Sequence, residues 1–121
     1  MNRAMLIEDT EELRALMLVY LQQLGFTVAV YSAGTEALVA VDNGYTPAVV
    51  ITDLDLGSDV RGDDLILTLR KVLKDCIFLL WTSHVLGTDI ATSVSAIFLP
   101  KDANRNQIWS VLQEAGYDHH P

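Results

Sequence analysis

A few positions in this chain carry side chains whose types and spacing can act together: Glu8 and Asp9, Asp53, Thr82 with Ser83, and Lys101. Each lies just past the end of an apolar run that reads as a strand. In open α/β sheets those strand ends share one edge, so all of these points can converge. Three carboxylates brought together repel one another and require a cation. Hard oxygen ligands with room for water favour Mg²⁺, which typically takes one or two carboxylates plus phosphate oxygens. A hydroxyl and an ammonium on the same edge suit a group with several anionic oxygens, such as a phosphoryl group. Singly these residues are commonplace, since a strand-end Asp often caps a helix and a lone Lys is usually solvated. The joint pattern at four strand ends carries the reading.

The elements that must position them are legible in the pattern of apolar residues. Ala48 to Gly57 reads AVVITDLDLG, and its β-branched, unalternating start suits a strand buried on both faces. Gly44 and Pro47 before it and Gly57 after it act as punctuation. Asp53 stands where that strand ends, held by stiff backbone yet reachable by solvent. Arg3 to Ile7 predicts a first strand, ending at Glu8-Asp9, with Thr10 able to cap a following helix. That helix carries Leu13, Leu16, Met17, Tyr20, Leu21 and Leu24 inward and ends at Gly25. Thr27 to Tyr31 predicts the second strand and Thr35 to Val41 the second helix. After a charged, glycine-bearing loop, Gly57 to Gly62, a third helix runs from Asp63 to Leu73, with Leu65, Ile66, Leu69, Val72 and Leu73 inward. Ile77 to Trp81 is a buried strand ending at Thr82-Ser83-His84, and Trp81 stands where its fluorescence can report on the site. Gly87 to Val94 is at best a weak helix, because Gly87, Thr88, Thr92 and Ser93 are poor helix formers. Ala96 to Leu99 is the last strand. Ala103 to Ala115 is the closing helix, with Ile108, Trp109, Val111 and Leu112 available to pack, and residues 116–121 form a fraying tail.

Strands alternating with helices across short loops imply parallel pairing through right-handed crossovers, a three-layer α/β domain. With 121 residues, half of them hydrophobic, the chain reads as one domain with a single core. Its formal net charge of −8 argues against an electrostatic grip on nucleic acid or on an anionic membrane. No apolar run approaches the ~20 residues that span a bilayer, and Glu8-Asp9 interrupts any signal-like start. The single cysteine, Cys76, permits no internal disulfide; it opens a hydrophobic run and reads as a buried, inert thiol in a cytoplasmic protein.

In their order and approximate spacing, the LIEDTEELR start, the ITDLDLG centre, Thr82-Ser83 and the FLPK end resemble the receiver domain of two-component response regulators, over nearly the whole chain. The resemblance implies a flavodoxin-like, doubly wound, five-stranded parallel sheet in the order 2-1-3-4-5, and a single receiver domain over residues 1–121 with no output domain. It implies that Asp53 accepts a phosphoryl group from a histidine kinase or histidine phosphotransfer protein. Asp9 would bind Mg²⁺ directly, Glu8 through water, and Asp53 and the Asp55 backbone carbonyl would complete the metal's protein ligands. Thr82 would hydrogen-bond a phosphoryl oxygen, Lys101 would pair with the phosphoryl group, and Thr82 with Phe98 would form the switch. The protein would then be a signalling switch, with no catalysis beyond phosphoryl transfer to, and hydrolysis from, its own aspartate. Its downstream target is open, and so is homodimerisation.

Three departures from the family pattern bear on this. Asp102 follows Lys101 where the family usually has proline; since a cis bond before a non-proline residue costs ~2.5–4 kcal/mol, a trans bond is expected. Only eighteen residues separate Thr82 from Lys101, so the fourth helix is expected to be short or irregular. The Gly57 to Gly62 loop is slightly long and lacks proline. Two rivals accompany the reading. One is a receiver-like binding module that acts without phosphorylation. The other is a haloacid-dehalogenase-type phosphohydrolase, since DLDLG resembles that family's signature, with Asp53 as nucleophile and Asp55 as general acid. That signature, however, usually follows the first strand.

Overall fold

The computed structural model describes residues 2–57 and 59–117. The elements alternate strictly: β1 (Arg3–Ile7), α1 (Glu11–Gln23), β2 (Thr27–Tyr31), α2 (Gly34–Asp42), β3 (Val49–Asp53), α3 (Gly62–Arg70), β4 (Ile77–Thr82), α4 (Gly87–Ser93), β5 (Ile97–Pro100) and α5 (Arg105–Glu114). Every strand pairing is parallel, and the spatial order is β2-β1-β3-β4-β5, as the resemblance implies. The chain runs from β1 outward to β2 and then returns across β1 to β3. The order therefore reverses between β1 and β3, where an open sheet leaves a crevice beyond its carboxyl ends.

Successive strand residues point to opposite faces, so each strand divides its side chains between two cores. Ala4, Leu6, Val49, Ile51, Leu79, Trp81 and Leu99 pack with Met17 and Leu21 of α1 and Ile108 and Leu112 of α5. Met5, Ile7, Val50, Phe78 and Leu80 face the other way, toward α2, α3 and α4. Full burial of each large aliphatic side chain is worth about 1.5–3 kcal/mol, so the two cores dominate the stabilisation.

Several sequence expectations need correction. Leu16 is 44% exposed, because the stripe of α1 that meets the sheet is narrow and centres on Met17 and Leu21. Val72 is 59% exposed: α3 stops at Arg70, and the tight turn after it, with the Val72 and Leu73 N–H groups both on the Leu69 carbonyl, carries Val72 outside. Thr10 occupies the N-cap of α1 but makes no side-chain capping bond; its backbone N–H instead donates to the Glu8 carboxylate at 3.1 Å. The closing helix begins at Arg105, where Asn104 and Gln107 cap each other reciprocally at 2.9 and 2.8 Å.

The fourth helix is short, seven residues, and regular. It is held at both ends. At its start, a Cβ added to Gly87 would fall 2.6 Å from Phe98 Cε1 and 3.0 Å from Thr82 Cγ2, so only glycine lets the helix sit this close. At its end, Arg70 donates to the carbonyls of Val94 and Ser95 at 2.9 and 2.8 Å while its guanidinium lies 4.6 Å over the Phe78 ring. Tertiary contacts thus override a poor local propensity. In the segment read as tail, Tyr117 stacks at 5.1 Å on Phe26 and meets Trp109 edge-on; residues 118–121 lie outside the described residues.

Candidate functional site

The carboxyl ends of β1, β3, β4 and β5 enclose a cleft of about 570 Å³ whose lining includes Asp9, Asp53, Asp55, Thr82, Ser83 and Lys101. The spacing singled out in the sequence therefore converges in space. Glu8 lies beneath, fully buried, directly after β1.

Glu8 is held from every side. Its backbone N–H donates to the Tyr31 carbonyl at 3.1 Å, and its carbonyl accepts from Arg14 at 2.8 Å. One carboxylate oxygen accepts from Thr10 N–H and the other from Lys101 Nζ. Burial pushes the Glu8 carboxyl above its ordinary range; the Lys101 hydrogen bond and the Thr10 N–H oppose that rise, while the charge of Asp53 adds to it.

Asp53 ends β3 with its Oδ2 3.2 Å from Lys101 Nζ and its Oδ1 accepting from Asp55 N–H at 3.4 Å. Its backbone is fixed by close approach. Gly62, the first residue of α3, donates to the Leu54 carbonyl at 2.8 Å and lies so near that an added Cβ would overlap the Asp53 carbonyl oxygen. The Thr52 hydroxyl donates to that same carbonyl at 2.9 Å. Gly62 was legible in sequence only as the end of a loop; nothing there marks it as the support beneath Asp53.

Glu8, Asp9 and Asp53 each offer a carboxylate oxygen, all within 4.8 Å of one another. Such a hard-oxygen set beside an open cleft fits a Mg²⁺ ion, which keeps several waters and takes few carboxylates. The Asp55 side chain is drawn aside to accept from Gly57 N–H at 3.1 Å.

Among the described residues that line this cleft, Lys101 is the one lysine or arginine. Its ammonium bridges Glu8 and Asp53 and lies 4.1 Å from the centroid of the Trp81 ring. The Lys101–Asp102 bond is trans, as expected, for the described residues contain no cis peptide. Thr82 is nearly buried and its hydroxyl oxygen accepts from His84 N–H at 3.1 Å, which leaves the hydroxyl proton to donate. Phe98 does not line the cleft; it packs against the start of α4. Among the described residues, no helix is long and apolar enough to cross a membrane.

No protein-family model matches the sequence, and no curated protein matches it. Solved structures do match the fold. The chemotaxis protein CheY4 of Vibrio cholerae is 22% identical over 94% of this chain and 98% of its own, with a TM-score of 0.82. The N-terminal domain of a response regulator from Carboxydothermus hydrogenoformans is 20% identical over 94% and 93%, with a TM-score of 0.83. The response regulator TrrA of Thermotoga maritima, solved in complex with Mg²⁺-BeF, is 23% identical over 94% and 98%, with a TM-score of 0.81. The chain has the fold of response-regulator receiver domains.

Proposed function

We propose that this protein is a phosphoacceptor receiver in a two-component phosphorelay. The observation that carries the reading is the convergence of three carboxylate oxygens within 4.8 Å, with Lys101 paired to Asp53. Asp53 is the acceptor. Its carboxylate oxygen forms a bond to phosphorus as the bond between phosphorus and the donor breaks, the donor being a histidine kinase or a histidine phosphotransfer protein. Asp9, Asp53 and the Asp55 carbonyl would hold Mg²⁺, with Glu8 contributing through water. When bound, that ion neutralises charge on the phosphoryl oxygens. The Lys101 ammonium pairs with the transferred group, and the Thr82 hydroxyl donates to one of its oxygens.

The output is a conformation. A phosphoryl group on Asp53 draws Thr82 and Lys101 inward, and Gly87 lies against both Thr82 and Phe98. Movement of either side chain therefore bears directly on the start of α4, an element poised to take a second arrangement. The protein is thus a cytoplasmic signalling switch, and its chemistry is confined to its own aspartate.

Intact mass spectrometry after incubation with acetyl phosphate tests this. One added phosphoryl mass is expected with Mg²⁺ present and none when EDTA removes it. A wild type that gains no mass from acetyl phosphate or from a phosphorylated histidine phosphotransfer protein would overturn the reading in favour of a phosphorylation-independent binding module.

A further inference from the structure

We propose that Trp81 is a positioning residue for Lys101, an aromatic floor that fixes the ammonium at the phosphoacceptor cleft. The consequence for labelling rests on the receiver reading; the contact itself does not. Trp81 is 1% exposed and pairs in register with Asp53 on one side and Leu99 on the other. Leu99 and Lys101 are two residues apart, so Asp53, Trp81 and Lys101 lie on the same side of the sheet as Glu8. The ammonium lies 4.1 Å from the indole centroid, well within cation–π reach.

Core packing alone does not call for tryptophan here. The indole Nε1 is buried and has no hydrogen-bond partner among the described residues, a cost that leucine, methionine or phenylalanine would not incur. What the indole adds is its ring face, the strongest aromatic partner for a cation. Glu8 Oε1 and Asp53 Oδ2 both draw the ammonium, and its four-carbon stem has many rotamers. The ring supplies a further contact that no carboxylate can give. An ammonium held beside Asp53 in this way is already in place as charge develops on the phosphoryl oxygens; the inward movement of Lys101 follows only once the phosphoryl group is on Asp53.

The test has two arms. The chain contains two tryptophans, so in a Trp109→Phe background Trp81 is the sole tryptophan and is excited selectively at wavelengths where the tyrosines do not absorb. There, Lys101→Met should shift the emission maximum and change its intensity, because a charge leaves the ring face; unchanged emission would overturn the proposal. In the second arm, acetyl phosphate labelling is timed at saturating Mg²⁺. Trp81→Leu should slow it by between about threefold and about thirtyfold, the span of a cation–π contact from exposed to desolvated, and Trp81→Phe should restore most of the rate. In a Lys101→Met background Trp81→Leu should cost nothing further; equal slowing there would mark a merely structural role and overturn the proposal. If urea titration shows that Trp81→Leu does not fold, Trp81→Met, which adapts to irregular gaps, takes its place. A wild type that takes no label defeats the receiver reading, and the emission arm then decides the contact independently.

Discussion

Two clefts lie at opposite ends of one sheet, and only one has converging chemistry. At the amino ends of β3 and β4, a cavity of about 380 Å³ is lined by Thr46, Pro47, Ala48 and the segment 72–76. At the carboxyl ends lies the acidic cleft of about 570 Å³. Both are sizeable, so size does not separate them. At the amino end the chain enters its strands through tight backbone bonds, with Ala48 N–H on the Arg3 carbonyl at 2.9 Å and Ile77 N–H on the Ala48 carbonyl at 3.0 Å. Of the titratable side chains there, Lys74 and Asp75 are exposed, and burial pushes the Cys76 thiol up to about 12. At the carboxyl end each strand releases its chain beside the reversal point, and Glu8, Asp53, Thr82 and Lys101 meet. Convergence of titratable groups, rather than cavity volume, marks the site.

The largest expected difference between the two ends is chemical. Asp53→Asn should abolish acetyl phosphate labelling, whereas Cys76→Ala should leave its rate unchanged; intact mass spectrometry reads both, and label persisting in Asp53→Asn would dissolve the contrast. Next, native Cys76 should resist iodoacetamide. A thiol raised to about 12 carries far fewer thiolates at pH 8 than a free one, so alkylation should be much slower in native protein than in urea. Comparable alkylation rates in native and unfolded protein would remove the burial on which the inert end depends.

Gly62→Ala should destabilise the protein by about 3 kcal/mol, near the upper part of the overpacking range, because the added methyl overlaps the Asp53 carbonyl, which is backbone and cannot swing aside. Urea unfolding measures this, and a wild-type midpoint would show that the loop yields. Asp9→Ala should weaken Mg²⁺ binding about tenfold or more by calorimetry, since it removes one of three clustered carboxylates. Equal affinity would remove Asp9 from the ligand set.

The smallest effect concerns the loop beyond Asp53. Asp59 accepts from Thr35 N–H at 3.1 Å, and that backbone bond holds its carboxyl below the ordinary 3.8. A depressed folded value means the contribution is fully present above 3.8 and is lost as pH falls through the lower folded value. Thr35 amide exchange, corrected for its intrinsic pH dependence, should hold constant from neutral pH to about 4 and quicken below, with Asp59→Asn already fast at neutral pH. A protection factor that follows pH through the neutral range would assign the latch to another group.

The five strands, to within a residue at their ends, and the convergence of Glu8, Asp9, Asp53, Thr82 and Lys101 were legible because each of these points follows a short apolar run, while the sheet order came from the family resemblance. The rest was hidden for physical reasons. Helix four looked weak because its own residues disfavour a helix, and the contacts that hold it come from Arg70 and Phe98, distant in sequence. Leu16 and Val72 fit helical spacing, but spacing cannot reveal where a helix leaves its neighbour or where it stops. Gly62 and Trp81 act by proximity, to the Asp53 carbonyl and to the Lys101 ammonium, and proximity has no signature in sequence order.

Borohydride trapping tests the central claim most directly, because it reduces an acyl phosphate to an alcohol and so turns a phosphorylated aspartate into homoserine. The protein is incubated with Mg²⁺ and acetyl phosphate, reduced, digested and sequenced by tandem mass spectrometry. Homoserine at position 53 alone is the predicted result; homoserine at position 9 or 55 instead, or none in a preparation that carries the phosphoryl mass, would contradict it.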